Sequence, residues 1–239
     1  MSTSDDHTAD ETHQSYLVYL LVSLVFILLI VPAIEHSSIA TDLLLRVGIT
    51  AVLVSAAVAT RRRKAILILG LFVACVAAPV SWMTMFFEQP LLFLFSCLLE
   101  GVFFIMMAIL ILITVIRRHL ATVHSIFGAI SAYLLLGLAW AVFYWGINHL
   151  DTDALAFTHL TARPVVVGEQ ATEVAGFSQF VYFSFVTMST LGYGDVTPQN
   201  SVVRTLAWMQ SVTGQFYMAV LVAWMVSEIP RARIKKSQP

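Results

Sequence analysis

The stretch from Thr187 to Pro198 reads TMSTLGYGDVTP and decides how the rest of the chain is interpreted. A short apolar segment, Phe177 to Met188, leads into it, and a long apolar stretch follows it from residue 201. The short segment cannot cross a bilayer, because a spanning helix needs about 20 apolar residues. Its length is that of a re-entrant helix. Since irregular backbone at membrane depth is tolerated only inside protein or beside a watery cavity, we expect the glycine-rich stretch to line such a cavity.

The composition of this 239-residue chain is that of a membrane protein rather than a soluble domain. Hydrophobic residues make up 59% and charged residues 11% of the sequence, whereas globular domains average about 45–50% apolar and about 25% charged residues. Several stretches are apolar and long enough to be transmembrane helices. They cover residues 16–34, 39–59, 65–87, 91–116, 123–149 and 201–228.

Basic residues cluster beside these stretches, at 61–64, 117–118 and 231–236. Lys and Arg accumulate in cytoplasmic loops, so we expect these segments and both termini to be cytoplasmic. Residues 150–176 are polar enough to be an exposed loop on the opposite side. The sequence therefore predicts an all-α, multi-pass integral membrane protein with six transmembrane helices and one re-entrant helix, of a size that suits a prokaryotic plasma membrane.

Two glycines give the quoted stretch an unusual backbone. In an ordinary strand the carbonyls of successive residues point in opposite directions. Glycine adopts positive φ at little steric cost, so Gly192 and Gly194 can reverse the direction of alternate carbonyls. The carbonyls that then align on one axis are those of Thr190, Leu191, Gly192 and Tyr193. The Thr190 hydroxyl can add an innermost oxygen. Neutral oxygen dipoles suit a hard monovalent cation, whereas a ring of carboxylates would hold a divalent ion.

This stretch resembles the selectivity filter of the potassium channel family, in which four Thr-Val-Gly-Tyr-Gly loops replace the hydration shell of the ion. The sequence from Thr190 to Asp195 departs from that motif only at Leu191, whose side chain is expected to pack away from the ion. The resemblance implies that K+ binds at Thr190, Leu191, Gly192 and Tyr193. Gly194 completes the filter. Gly-Tyr-Gly-Asp is also a turn sequence, but its position between two long apolar stretches favours a filter.

The resemblance also implies the function and the partners of the chain. It predicts a potassium channel subunit of the six-helix, voltage-gated-like superfamily that conducts K+ passively, forms a homotetramer with three identical subunits and contacts membrane lipid. No enzyme activity, nucleic acid or cofactor other than the permeant K+ ions is expected. A weakly selective cation channel is the main alternative. A secondary transporter is less favoured, since the two halves of the chain show no paired repeats with broken helices.

The predicted parts of such a channel are an N-terminal segment, a peripheral four-helix domain, a pore domain and a basic tail. They cover residues 1–15, 16–118, 119–229 and 230–239. Residues 91–116, the fourth stretch, contain no Lys or Arg, whereas voltage-sensing relatives carry regularly spaced arginines there. We therefore expect a channel that is not steeply voltage-gated.

Four further residues are compared with the family through the resemblance. In relatives, an aromatic residue at the position of Tyr182 hydrogen-bonds the aspartate after the filter, here Asp195, although Tyr182 could instead be an interfacial anchor. Val186 replaces a glutamate that some relatives bury behind the filter. Gly214 matches a glycine at which the pore-lining helix bends, and close helix packing is the alternative role.

Polar residues inside the apolar stretches remain open to more than one interpretation. Glu100 lies in the fourth stretch, where an ionisable group is a candidate functional site. Arg46 can snorkel toward the outside, so we expect Glu100 to be protonated or locally hydrated. A set of four polar residues in the last stretch could line a cavity or form hydrogen bonds between helices. Its members are Gln210, Ser211, Thr213 and Gln215.

Overall fold

The structure, a computed structural model, describes part of the chain. The described residues are 18–29, 46–55, 64–84, 86–87, 89–117, 123–158, 163–167 and 170–236. The helices among them are α1 Val18–Leu29, α2 Arg46–Ser55, α3 Lys64–Met83, α4 Pro90–Ile116, α5 Val123–Leu150, α6 Phe177–Met188 and α7 Ser201–Lys236. The strands are β1 Leu155–Phe157, β2 Arg163–Val167, β3 Gln170–Val174 and β4 Val196–Pro198. The predicted N-terminal segment, residues 1–15, lies outside the described residues.

Three of the described helices are long and apolar enough to cross a membrane, namely α4, α5 and α7. They coincide with three of the predicted spans. The apolar parts described for α1, α2 and α3 are shorter. The described residues therefore show a mostly helical protein with three candidate spans, and the predicted count of six stays a prediction.

Helix α4 packs tightly against α5. A Cβ atom added to Gly101 of α4 would lie 2.1 Å from a ring carbon of Phe143 in α5. A Cβ atom added to Gly146 of α5 would lie 2.8 Å from Cβ of Cys97 in α4. Both distances are shorter than carbon atoms allow, so glycine is needed at each contact. These two close approaches lie within about one helical turn of each other and place α4 against the C-terminal part of α5.

The re-entrant helix has the predicted bounds, Phe177–Met188, but the prediction for the segment before it was wrong. Residues 150–176 are not only loop, because β2 and β3 form an antiparallel hairpin and β1 pairs with β4. The last predicted span, 201–228, agrees with the apolar part of α7, Ser201–Ser227, and the helix itself continues to Lys236 and includes most of the predicted tail. The β1–β4 pairing places the last three residues of the quoted stretch beside the segment that follows α5.

One face of α7 is buried against α5 and α6. The buried residues Val203, Gln210, Gly214 and Tyr217 are spaced by seven, four and three positions, which places them on one side of an α-helix. The Tyr217 hydroxyl donates a hydrogen bond to the Ala129 carbonyl of α5. Much of the opposite side of α7 is exposed in the single chain.

Candidate functional site

The candidate site begins where α6 ends. The last helical residue is Met188, and the Ser189 amide still donates a hydrogen bond to the Phe185 carbonyl at 2.9 Å. The next residue, Thr190, has a φ of +62°. A right-handed helix cannot continue through a left-handed residue, so the chain leaves the helix at Thr190.

The φ angles of the following residues alternate in sign. Gly192 and Gly194 have φ values of +59° and +81°, as expected from the sequence, and Leu191 and Tyr193 between them are not in the left-handed region. Thr190 extends this alternation by one residue, which the sequence did not reveal because a β-branched residue rarely takes positive φ. Regular alternation turns successive carbonyls toward one side of the chain, an arrangement that a β-strand does not provide.

Two backbone hydrogen bonds attach this segment to α6. The Leu191 and Gly192 amides both donate to the Val186 carbonyl, at 3.0 and 3.4 Å. The Val186 side chain is buried. The position of the segment therefore depends directly on the position of Val186 in α6.

A tyrosine and an aspartate support the far end of the segment. The Tyr182 hydroxyl donates a 2.6 Å hydrogen bond to Oδ2 of Asp195, and the Tyr182 ring stacks on Tyr193 with a centroid distance of 6.5 Å. The hydrogen bond to the carboxylate raises the pKa of Tyr182 to about 12. The hydroxyl therefore keeps its proton at neutral pH and acts as the donor.

The outer edge of the site is tied to the end of α5. The Thr158 amide donates to the Asp195 carbonyl at 2.8 Å, next to the β1–β4 pairing. Asn200 caps α7, since its Oδ1 accepts from the Val203 amide at 2.8 Å, and its Nδ2 donates to Asp151 at 2.9 Å. The segment thus runs between a helix end and a small sheet, both fixed to α5.

Comparison with known proteins assigns this part of the chain. Residues 129–229 match the sequence model of a family described as an ion channel. The chain is 32% identical over 109 residues to two-pore potassium channel 3 of Arabidopsis thaliana, which covers 46% of this chain and 20% of that protein. It is 29% identical over 100 residues to the inward rectifier potassium channel Kirbac3.1 of Paramagnetospirillum magnetotacticum, covering 41% of this chain and 33% of that protein.

Residues 129–229 are thus similar to an ion channel family, and the two relatives named above are potassium channels. The matched relatives are ion channels rather than enzymes, in agreement with the sequence-based expectation. The chain spans a third or less of the length of either potassium channel. No solved structure matches it.

Within the part of the chain that matches the ion channel family, Gly214 is a point of close contact. A Cβ atom at Gly214 would lie 2.2 Å from the Met188 carbonyl oxygen, at the end of α6. Helix α7 runs without interruption through this position. The contact supports the close-packing role of Gly214, and its role as a hinge stays a prediction.

Two polar residues of α7 point in different directions. Gln215 is exposed in the single chain and its Nε2 donates a 3.2 Å hydrogen bond to the Thr190 hydroxyl, which itself donates to the Ser189 carbonyl at 2.7 Å. Gln210 is fully buried and bonds to α5 and α6. The two interpretations drawn from the sequence therefore apply to different residues: Gln215 lies at the base of the candidate filter, and Gln210 joins helices.

The peripheral domain contains a polar cluster that the sequence did not predict. Arg46 does not snorkel outward, because its guanidinium donates hydrogen bonds to the carbonyl and the hydroxyl of Ser81 in α3. Ser81 also hydrogen-bonds to Glu100 of α4, which interacts electrostatically with Arg46. Glu100 is 2% exposed, and its Oε1 has no hydrogen-bond partner among the described residues. The cluster joins α2, α3 and α4.

Proposed function

We propose that this chain is one subunit of a homotetrameric potassium channel that conducts K+ selectively and passively across a membrane. The observation that carries the proposal is the alternation of positive φ at Thr190, Gly192 and Gly194 directly after α6. We expect such an alternation to turn consecutive carbonyls to one side, as the replacement of the K+ hydration shell requires. The relatives that match the chain are potassium channels.

In the proposed channel, four copies of the segment face a common axis. The carbonyls of Thr190, Leu191, Gly192 and Tyr193 and the Thr190 hydroxyl coordinate K+, and Gly194 completes the filter. One chain supplies only one side of each oxygen ring, so a closed cyclic oligomer is needed. The exposure of Leu191 and Tyr193 in the single chain, 59% and 67%, fits surfaces that neighbouring copies cover.

The proposed architecture has six transmembrane helices with both termini in the cytoplasm, in a membrane such as a prokaryotic plasma membrane. Candidate spans α4, α5 and α7 belong to it, and the three remaining spans are the apolar stretches that contain α1, α2 and α3. The clusters of Lys and Arg support the orientation.

Reconstitution in liposomes tests the proposal. With equal concentrations of K+ on one side and Na+ on the other, the reversal potential of a K+-selective channel lies far from zero and is negative on the K+ side, whereas a weakly selective cation channel reverses near zero. Protein-free liposomes are the control for leak. Native mass spectrometry of the purified protein tests the stoichiometry independently, and a mass other than four chains would contradict the homotetramer.

A further inference from the structure

A buried polar network joins the three helices around the candidate filter. Gln210 of α7 donates from Nε2 to the carbonyl and the hydroxyl of Ser184 in α6, at 2.9 and 2.7 Å. The Ser184 hydroxyl donates to the Gly137 carbonyl of α5 at 2.6 Å. The Tyr144 hydroxyl of α5 donates to Gln210 Oε1 at 2.8 Å. Each of these bonds crosses between two helices.

The orientation of the Gln210 amide follows from its partners. The Ser184 carbonyl can only accept a hydrogen bond, so the amide nitrogen must face it, and Oε1 is left to accept from Tyr144. Both donors and the acceptor of the amide are therefore satisfied. Gln210, Ser184 and Tyr144 are each 0% exposed, so water cannot replace a lost partner. A buried donor or acceptor left unpaired shifts a conformational equilibrium by about 5- to 150-fold.

The network acts on the part of α6 that holds the filter. Ser184 lies two residues before Val186, whose carbonyl accepts from the Leu191 and Gly192 amides. Within a helix, a displacement of Ser184 also moves Val186. Gln210 is one helical turn from Gly214, which contacts the Met188 carbonyl. Helix α7 thus holds α6 by a polar contact at Ser184 and by backbone contact at its end.

Resting on the proposed function, we infer that Gln210 is a positioning residue for ion selectivity. Its side-chain amide, oriented by Tyr144, fixes Ser184 and through it the carbonyl that anchors the filter. An amide that served only to fill the core would be replaceable by an apolar side chain of the same shape without effect on the permeant ion. Gln210 instead transmits the position of α7 to the filter.

The test compares variants of the full chain in liposomes. Gln210→Met keeps the volume and removes the amide, Gln210→Glu removes the amide donors, and Tyr144→Phe removes only the hydroxyl that orients the amide. Thr205→Val is the matched control, since in the described part of the chain the Thr205 hydroxyl bonds only to the Ser201 carbonyl of its own helix. The measurements are the elution profile in detergent and the K+-to-Na+ permeability ratio from reversal potentials.

We expect Gln210→Met and Gln210→Glu to lower the permeability ratio about tenfold and Tyr144→Phe to lower it about threefold, while Thr205→Val retains the wild-type ratio. Gln210→Met combined with Ser184→Ala should show less than the sum of the two single effects, because both remove the same contact. Wild-type selectivity in a Gln210→Met variant that elutes normally overturns the inference. If Gln210→Met does not fold, Tyr144→Phe decides, and an unchanged ratio there overturns it. A wild-type chain that does not discriminate K+ from Na+ contradicts the proposed function instead.

Discussion

The Tyr182 hydroxyl and the Asp195 carboxylate, 13 residues apart, are joined by a 2.6 Å hydrogen bond. This bond closes a loop that starts in α6, passes through the candidate filter and returns to α6. Its two ends are held separately, because Val186 anchors the start of the loop and the Thr158 amide holds the Asp195 carbonyl. The candidate filter segment is therefore held at its start by α6, and at its far end by α6 and by the segment that follows α5.

Removing this hydrogen bond should destabilise the conductive form of the filter. We expect Tyr182→Phe and Asp195→Asn to speed the decline of current during sustained opening about three- to tenfold, the scale of one ordinary hydrogen bond, because solvent at this exposed site screens the extra strength of a bond to a charged group. Single-channel recording of open and closed durations measures this. Kinetics like those of the wild type in both variants would contradict the supporting role.

The same contact has a defined pH dependence. A phenol whose pKa is raised to about 12 contributes stability that is fully present below its unfolded pKa of about 10 and is lost as the pH rises through the folded value. Titration of Tyr182 therefore leaves the filter unchanged between about pH 6 and pH 9. The difference in current decline between wild type and Tyr182→Phe should stay constant over this range. A difference that disappears below pH 9 would show that the hydroxyl is not the protonated donor.

Alanine at Gly192 or Gly194 should abolish selective conduction. No atom lies within 4 Å of a Cβ added at either residue of the single chain, so the penalty there comes from the positive φ, about 1–2 kcal/mol for an L-residue. In the proposed tetramer each of the four subunits incurs that cost, so all four carbonyls of a ring are affected. D-Alanine at Gly194 is the matched control, because its mirror-image preference is for positive φ. Retained K+ selectivity with L-alanine at both positions would remove the segment from the ion pathway.

Thr190 is predicted to form the innermost ion site. Barium is close to K+ in size but doubly charged, so we expect it to block from the side of Gln215 by binding the Thr190 oxygens. Thr190→Ala should weaken the block about tenfold or more, through the loss of an oxygen ligand in each subunit. Dose–response curves for barium on the two proteins measure the change. Equal blocking affinities would exclude the hydroxyl as a ligand.

The local features of this site could be predicted from the sequence, and the contacts between distant segments could not. Helix α6 follows from an apolar segment too short to span, and positive φ at Gly192 and Gly194 follows from the absence of a Cβ atom. Gln210 gave no sign of its partner because Tyr144 lies 66 residues away. A hydrophobicity pattern states that a polar group is buried but not which helix supplies its partner.

The same limit explains the error at Arg46. A basic residue near the end of an apolar stretch can reach water along its own helix, and the sequence does not indicate that α3 presents Ser81 beside it.

The strand pairing after α5 was missed for a related reason. Its partner, Val196–Pro198, is only three residues long and follows the filter, so neither strand has enough length to show an alternating pattern.

Gly214→Ala distinguishes the two roles of this glycine. The added Cβ atom would lie 2.2 Å from the Met188 carbonyl oxygen, so α7 must move away from α6. If Gly214 serves close packing, we expect a lower thermal midpoint in detergent and reduced K+ selectivity. If it serves as a hinge, the open probability should fall while the thermal midpoint and the selectivity stay unchanged. Ala219→Gly, further along α7, is the control for added helix flexibility.

The remaining prediction concerns voltage. Moving one charge through the membrane field is worth about 2.3 kcal/mol per 100 mV, and steep voltage sensors move three or four charges in each subunit. Helix α4 carries a single charged residue, Glu100. If that carboxylate were ionised and crossed the whole field in all four subunits, the total would be roughly 9 kcal/mol per 100 mV.

The structure places Glu100 where such movement is opposed. It is 2% exposed and hydrogen-bonds to Ser81, beside Arg46. Sliding α4 would separate this cluster and would also disrupt the close contacts at Gly101 and Gly146. We therefore expect the open probability in symmetrical K+ to change little between negative and positive voltages, with an effective gating charge well below about four per channel. Glu100→Gln, which keeps the shape and removes the charge, should leave that weak dependence unchanged. A gating charge above about four would exceed what Glu100 can supply and would show that another helix of the peripheral domain senses voltage.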